Sequence, residues 1–192
     1  MIRLKYPVIL ASSSPRRKEL LEMLEIPFTV QTLEVEENIP DHISPKESAL
    51  FLAKIKADAH QHLVKNQLII TADTVVVANN IVLGKPTNTQ EASDMLITLS
   101  NSTHEVITGV IIRVNKEEYA LNVSTKVTFS ALTSNEINHY VQSDKANDKA
   151  GAYGIQDWIG LIGISSIEGS YYNVMGFPTF EVYECLKKHF AI

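Results

Sequence analysis

The sequence predicts a mixed α/β protein, a mixed β-sheet with flanking helices in a single domain spanning residues 1–192. Three observations carry this expectation. Apolar residues recur with a period near two in some segments and near 3.6 in others, and the two kinds interleave along the whole chain. Hairpin and helix signals alternate irregularly, which favours a mixed sheet over a purely parallel one. Composition is ordinary for a globular protein, with 45% hydrophobic and 20% charged residues, and it argues against disorder.

Val8-Ile9-Leu10-Ala11 reads as the first strand. A helix follows, with Ser14 as its cap, Pro15 at its first position and Leu20, Leu21 and Leu24 on its apolar face. Phe28 to Leu33 reads as a second strand. Ser44-Pro45-Lys46-Glu47 has the form of a capping box with proline at the first helical position, which predicts a long helix reaching Val64. Leu68 to Ala78 and Ile81 to Leu83 are expected to form a hairpin through Asn79-Asn80, residues that tolerate left-handed backbone. A short helix is expected over Gln90 to Leu99. The β segments His104 to Val114 and Tyr119 to Ala131 flank the polar Asn115-Lys116-Glu117-Glu118 as another hairpin. Thr133-Ser134-Asn135-Glu136 is a second capping box, opening a helix to Gln142. Gly151 to Gly169 reads as a glycine-punctuated β region, and a last helix starts near Pro178.

Charge and composition narrow the function. A net charge of -5 and a pI near 5.7 disfavour broad binding to nucleic acid or to an anionic membrane. No apolar run reaches the roughly 18 residues of a membrane span. The opening Met1-Ile2-Arg3-Leu4-Lys5-Tyr6 lacks the features of a secretory signal. One cysteine, Cys185, allows no internal disulfide, and in its helix-like tail it reads as a buried thiol. The expected location is the cytoplasm.

Several motifs carry chemistry. In Ser12-Ser13-Ser14-Pro15-Arg16-Arg17, hydroxyls precede a helix whose first turn holds two arginines. Cations there face the positive end of the helix dipole, an arrangement that makes sense around a bound anion. The alternative is a surface helix with two solvated arginines. Asp73 interrupts the apolar strand Leu68 to Val77, and an inward carboxylate needs a metal, a cation or hydrogen bonds. The alternative is a carboxylate tying down a nearby turn. Gly84-Lys85-Pro86 fixes the backbone around one lysine. Glu34-Val35-Glu36-Glu37 is acidic, as many solvated loops are. Lys54 and Lys56 stand two apart on a helix, so at most one of them faces a cleft. In Asp148-Lys149-Ala150-Gly151-Ala152-Tyr153-Gly154-Ile155-Gln156, small residues and two glycines permit close approach of a ligand, and the Gln156 amide offers a donor and an acceptor suited to a base edge; the alternative is a glycine-rich β turn with a surface amide. The six histidines show no metal-binding spacing, and His60 and His62 read as decoration of an exposed helix. Neither a Walker loop nor a Gly-x-Ser-x-Gly elbow is present.

Taken in order and at their spacing, Ala11-Ser12-Ser13-Ser14-Pro15-Arg16-Arg17, Glu36-Glu37, Ala72-Asp73-Thr74, Gly84-Lys85-Pro86 and Ala150-Gly151-Ala152-Tyr153-Gly154-Ile155-Gln156 resemble the Maf family over essentially the whole chain. The resemblance implies a nucleoside triphosphate pyrophosphatase. It also implies an elongated, two-lobed α/β fold similar to that of the inosine triphosphate pyrophosphatases, often as a homodimer. It puts Asp73 at the catalytic proton acceptor, and Arg16, Thr74 and Gln156 at positions of substrate choice. The Ala-Tyr-Gly-Ile-Gln wording is similar to the subgroup that acts on dTTP and UTP.

The expected reaction is hydrolysis of dTTP and UTP, modified nucleotides included, to monophosphate and pyrophosphate. Arg16, Arg17, Lys56 and Lys85, assisted by Ser12, are assigned to the phosphates, and Glu37 and Asp73 to Mg²⁺ or Mn²⁺. The competing readings are a nucleotide-sensing module in cell division and a house-cleaning pyrophosphatase for ITP or XTP. A pure sensor has no need for both the acidic pair and the cationic set.

Overall fold

The computed structural model describes residues 2–60 and 66–192. Seven strands and seven α-helices alternate as β1 (Val8–Leu10), α1 (Pro15–Met23), β2 (Phe28–Val30), α2 (Ser48–His60), β3 (Leu68–Ala78), β4 (Ile81–Leu83), α3 (Thr89–Leu99), β5 (Thr103–Val114), β6 (Glu117–Phe129), α4 (Ser134–Val141), α5 (Trp158–Gly163), β7 (Ile164–Glu168), α6 (Tyr171–Met175) and α7 (Thr179–Phe190) among those residues. The strands form a seven-stranded sheet in the order β2-β1-β3-β5-β6-β7, with β4 paired to β3. The sheet is mixed, as expected: β1 runs parallel to β2 and β3, while β3–β4 and β6–β7 are antiparallel. None of the helices among the described residues is long and apolar enough to cross a membrane.

The chain divides into two compact units. The first comprises the described residues up to Asp73 together with Thr108–Val123 and Gly176–Ile192; the second comprises Thr74–Ile107 and Ser124–Met175. In the first unit, α2 lies directly on β5. Ala53 and Ala57, one helical turn apart, are fully buried against Ile111, and a Cβ built at Gly109 would stand 2.3 Å from the Cα of Leu50. The Thr71 hydroxyl in β3 donates to the Ala53 carbonyl at 2.7 Å, tying strand to helix. The second unit packs α3, α4 and the Gly151–Tyr153 turn around Val76, Leu96, Phe129 and Tyr140.

Local chemistry explains most boundaries. Ser14 caps α1 with Pro15 at its first position, and Leu20 and Leu21 are buried. Asn79 and Asn80 take the left-handed conformation that joins β3 to β4. Thr133 and Glu136 form both bonds of the capping box that opens α4. Elsewhere the structure differs from expectation. At Ser44-Glu47 the two side chains do bond, at 2.6 Å, but the Ser48 hydroxyl donates back to the Ser44 carbonyl and the segment is a turn, with α2 beginning at Ser48. The end of the helix expected to reach Val64, and with it His62, lies outside the described residues. Asn115 alone takes the left-handed conformation at the β5–β6 hairpin, so Glu117 and Glu118 belong to β6. The expected β region from Gly151 to Gly169 is instead a turn, the helix α5 and only then the strand β7. Gly160 and Gly163 are there for close packing: a Cβ at the first would meet the Ile155 carbonyl oxygen at 2.2 Å, and at the second the Phe129 ring at 2.8 Å.

Candidate active site

The first unit gathers most of the expected site residues. At the end of β1 the chain turns through three serines into α1. The Ser12 hydroxyl oxygen accepts from Ser14 N and from Arg17 Nη1, both at 3.3 Å. Arg17 Nε donates to the Gly176 carbonyl at 2.9 Å, linking the start of α1 to the loop before α7. Burial lowers the pKa of the Arg17 guanidinium, and the carboxylates of Asp73 and Glu37 oppose that shift. The nearby negative charge thus keeps a cation in a place poor in water. No acidic residue stands in the first turn of α1, so both Arg16 and Arg17 sit at the positive end of the helix dipole.

Lys56 is the centre of the arrangement. Its ammonium lies 2.5 Å from Asp73 Oδ1 and 2.8 Å from Glu37 Oε1. Close packing of α2 on the sheet aims the side chain there. Asp73, near the middle of β3, is reached because the Thr71 bond fixes the helix against that strand. Glu37 comes from the irregular stretch between β2 and α2, and its side chain is half exposed. Lys54 points elsewhere, to Glu118 at 2.9 Å, as its spacing from Lys56 requires. His60, expected on an exposed face, is 2% exposed: its Nδ1 and Nε2 lie 2.7 and 3.2 Å from the Lys56 and Gln31 carbonyl oxygens, of which a neutral ring donates to one. An imidazole one turn beyond Lys56 is thereby used to satisfy backbone rather than water.

Thr74, Lys85 and Gln156 belong to the second unit. Thr74 follows Asp73 in β3. Lys85 is exposed, held between Pro86 and Gly84, whose carbonyl accepts from Gly151 N at 3.0 Å. Gln156 is half-buried and sits in the Gly154–Asp157 turn closed by Asp157 N donating to the Gly154 carbonyl at 3.0 Å. Both neighbours of that turn are tied. The Tyr153 hydroxyl bonds His104 Nε2 at 2.7 Å. Asp157 Oδ2 accepts from the Tyr140 hydroxyl at 2.8 Å and faces Lys149 Nζ at 3.4 Å. Tyr140, Lys149 and Asp157 form a set that sequence reasoning did not single out, because Tyr140 reads as an apolar-face residue of α4 and Lys149 as a loop charge. The Gly176 carbonyl on Arg17 was missed for a similar reason: a backbone acceptor has no signature in side-chain types.

Among the described residues no cluster of three or more His, Cys, Asp and Glu side chains has metal-binding geometry. The protein instead offers the two carboxylates that converge on the Lys56 ammonium.

The chain is similar to several proteins of known description. A dTTP/UTP pyrophosphatase of Phocaeicola vulgatus is 48% identical over 186 residues, covering 96% of each chain. Another of the same description, from Cytophaga hutchinsonii, is 48% identical over 95% of this chain and 84% of its own. The solved structure of a HAM1 protein from Coxiella burnetii superposes with a TM-score of 0.52 at 14% identity, over 95% of this chain and 99% of that one. It shares the fold, the one similar to inosine triphosphate pyrophosphatases that the family resemblance implied. The model of the Maf-like protein family matches residues 7–189, and the chain belongs to that family.

Proposed function

We propose that the chain hydrolyses dTTP and UTP between the α- and β-phosphates, giving the nucleoside monophosphate and pyrophosphate with Mg²⁺ or Mn²⁺ as cofactor. The observation that carries this reading is the convergence of Asp73 and Glu37 on the Lys56 ammonium, in the unit that also holds Arg17. Two carboxylates around one cation, completed by phosphate oxygens, are a donor set that Mg²⁺ takes, so these residues fit the ion. When bound, the metal supplies neutralisation of phosphate charge and a more acidic water.

The chain's own residues do the rest. Asp73 accepts the proton of the water that attacks the α-phosphorus. Lys56, Arg16, Arg17 and Lys85 offset the charge of the triphosphate, and Ser12 holds Arg17 in place for that task. Thr74 and Gln156 are assigned to the nucleoside. The Gln156 amide pairs with an adjacent carbonyl and ring N–H, a pattern that uracil and thymine present and cytosine does not. The relatives' description as dTTP/UTP pyrophosphatases supports the same choice. A cytoplasmic homodimer belongs to this reading, favoured by the exposed Leu161, Ile162, Tyr171 and Tyr172 of the second unit.

The test is a panel of UTP, dTTP, CTP, GTP and ITP with Mg²⁺ and product identification. UTP and dTTP are expected to give monophosphate and pyrophosphate ahead of CTP and ITP, and EDTA to stop the reaction. Diphosphate and inorganic phosphate as the first products would overturn the assignment.

A further inference from the structure

Gln156 stands in a segment whose polar neighbours are held in place. Ile155 on one side is 5% exposed. Tyr153 and Asp157 are anchored by side-chain bonds, to His104 and to Tyr140. The Gln156 amide itself has no hydrogen-bond partner among the described residues. The anchor at Asp157 is unusual in a second way. Asp157 occupies the N-cap of α5, where an aspartate ordinarily accepts from the backbone of the first turn, yet it makes no such bond. Its carboxylate turns away from its own helix to the Tyr140 hydroxyl and Lys149. The same Tyr140 oxygen accepts from Gly154 N at 3.2 Å. A phenol thus clamps both ends of the Gly154–Asp157 turn, one end through a backbone N–H and the other through a carboxylate. Lys149 completes the clamp, its ammonium also donating to the Lys145 carbonyl at 2.5 Å and to Asp148 at 2.6 Å. The fit leaves no slack, since a Cβ at Gly154 would stand 2.5 Å from Asp157 Oδ2 and 2.8 Å from Lys149 Cε.

We infer that Tyr140, Lys149 and Asp157 are positioning residues for base selection: they hold the Gly154–Asp157 turn rigid so that the unpaired Gln156 amide reaches the edge of the nucleobase from a fixed point of the backbone. This rests on the reading of Gln156 as the base-contacting residue. The reason for the clamp is that discrimination by hydrogen bonding requires the mismatched base to leave the amide unsatisfied. An amide on a mobile turn would swing to find water or rotate to suit either edge, and would lose that discrimination. Groups that act only on the phosphates do not distinguish one triphosphate from another, so the clamp acts on the ratio between substrates rather than on turnover of all of them.

The experiment measures kcat and KM for UTP, dTTP and CTP in wild type, Gln156→Ala, Tyr140→Phe, Asp157→Asn and the double variant Tyr140→Phe/Gln156→Ala. Tyr140→Phe keeps the ring in its buried place and removes only the clamping oxygen. It is expected to lower the UTP-to-CTP ratio of kcat/KM about tenfold, mainly by raising KM for UTP, with kcat for CTP within about twofold of wild type. Asp157→Asn retains an acceptor for the phenol while removing the charge that faces Lys149, and is expected to give a smaller loss of the same kind. The double variant is expected to discriminate no worse than Gln156→Ala alone, because the clamp has nothing left to orient. If Gln156→Ala loses discrimination while Tyr140→Phe and Asp157→Asn keep it, or lose activity equally on all three substrates, the positioning role is overturned and the reading of Gln156 stands. If Gln156→Ala itself keeps full discrimination, that reading falls, and the positioning role with it. Should Tyr140→Phe fail to fold, the same comparison is decided by Asp157→Asn.

Discussion

Asp73 and Asp157 are side chains of equal exposure, 13% each, and both face a lysine ammonium, at 2.5 and 3.4 Å. Their surroundings differ in what they leave undone. Lys56 is shared between Asp73 and a second carboxylate, Glu37, so two negative charges answer one positive charge, with Arg17 held close by. Asp157 has a neutral phenol as its nearer partner, and its lysine also serves a carbonyl and Asp148. The first cluster joins two carboxylates through one ammonium and is suited to exchange one cation for another. The second is closed by hydrogen bonds and is suited to hold a shape. Equal exposure and a neighbouring lysine therefore do not make two carboxylates alike; what else each one touches sets them apart.

Asp73→Asn should break the first cluster most severely. The change is nearly isosteric, so the far-ultraviolet spectrum and melting temperature should stay near wild type while turnover of UTP falls at least ~100-fold. Near-wild-type turnover would make Asp73 as structural as Asp157.

The second unit has its own test in acid. His104 is buried against Phe129 and Tyr153, its Nδ1 has no hydrogen-bond partner among the described residues, and burial pushes its pKa down from 6.5 to about 4. The unfolded chain therefore takes up a proton near pH 6.5 that the folded chain refuses until about pH 4. Stability is full above that window and falls as the pH drops through it, by roughly 3 kcal/mol in all. Denaturant midpoints between pH 7 and 4 should show this slope in wild type and lose it in His104→Gln, with UTP turnover at pH 7.5 little changed per folded molecule.

Lys56→Met sharpens the comparison from the other side. Without the ammonium, Asp73 and Glu37 repel each other, so the variant should melt earlier in EDTA and gain more than wild type from added Mn²⁺. Turnover should fall about tenfold at saturating metal as one phosphate cation is lost. Equal stabilisation of the two proteins by Mn²⁺ would mean that the ammonium and the metal do not compete. The smallest effect belongs to Lys54→Ala. Its bonds to Glu118 and Asp58 are on the surface, so stability should change by no more than about 0.5 kcal/mol and turnover not at all.

The legible parts of the sequence were those whose physics is local. Asn79-Asn80, the Thr133–Glu136 box and Ser14-Pro15 each specify a turn or a helix start through bonds within four residues. Asp73 was legible because a carboxylate in an apolar strand demands an explanation, and helical spacing let only one of Lys54 and Lys56 face a cleft without saying which. What escaped were pairings between distant segments. Nothing near His60 indicates that the Gln31 carbonyl will take its ring nitrogen, and nothing near Tyr140 indicates Asp157. The glycines of residues 151–169 misled for the same reason. Their pattern suits turns between strands, but Gly160 and Gly163 answer to neighbours, the Ile155 carbonyl and the Phe129 ring, that only the folded chain supplies.

Gly109 carries a consequence for how far from the chemistry a damaging change can lie. It touches no substrate group, yet it sets the height at which α2, with Lys56 on it, rides over β5. A single methyl there cannot be accommodated by rotating a side chain, because what it meets is the backbone of Ala49 and Leu50. The whole helix would have to lift, and a displacement of roughly 1 Å is enough to cost on the order of 100-fold in rate. Position 109 thus serves as a distance gauge for the Lys56–Asp73 contact, and a substitution there would look like a core defect while behaving like an active-site one.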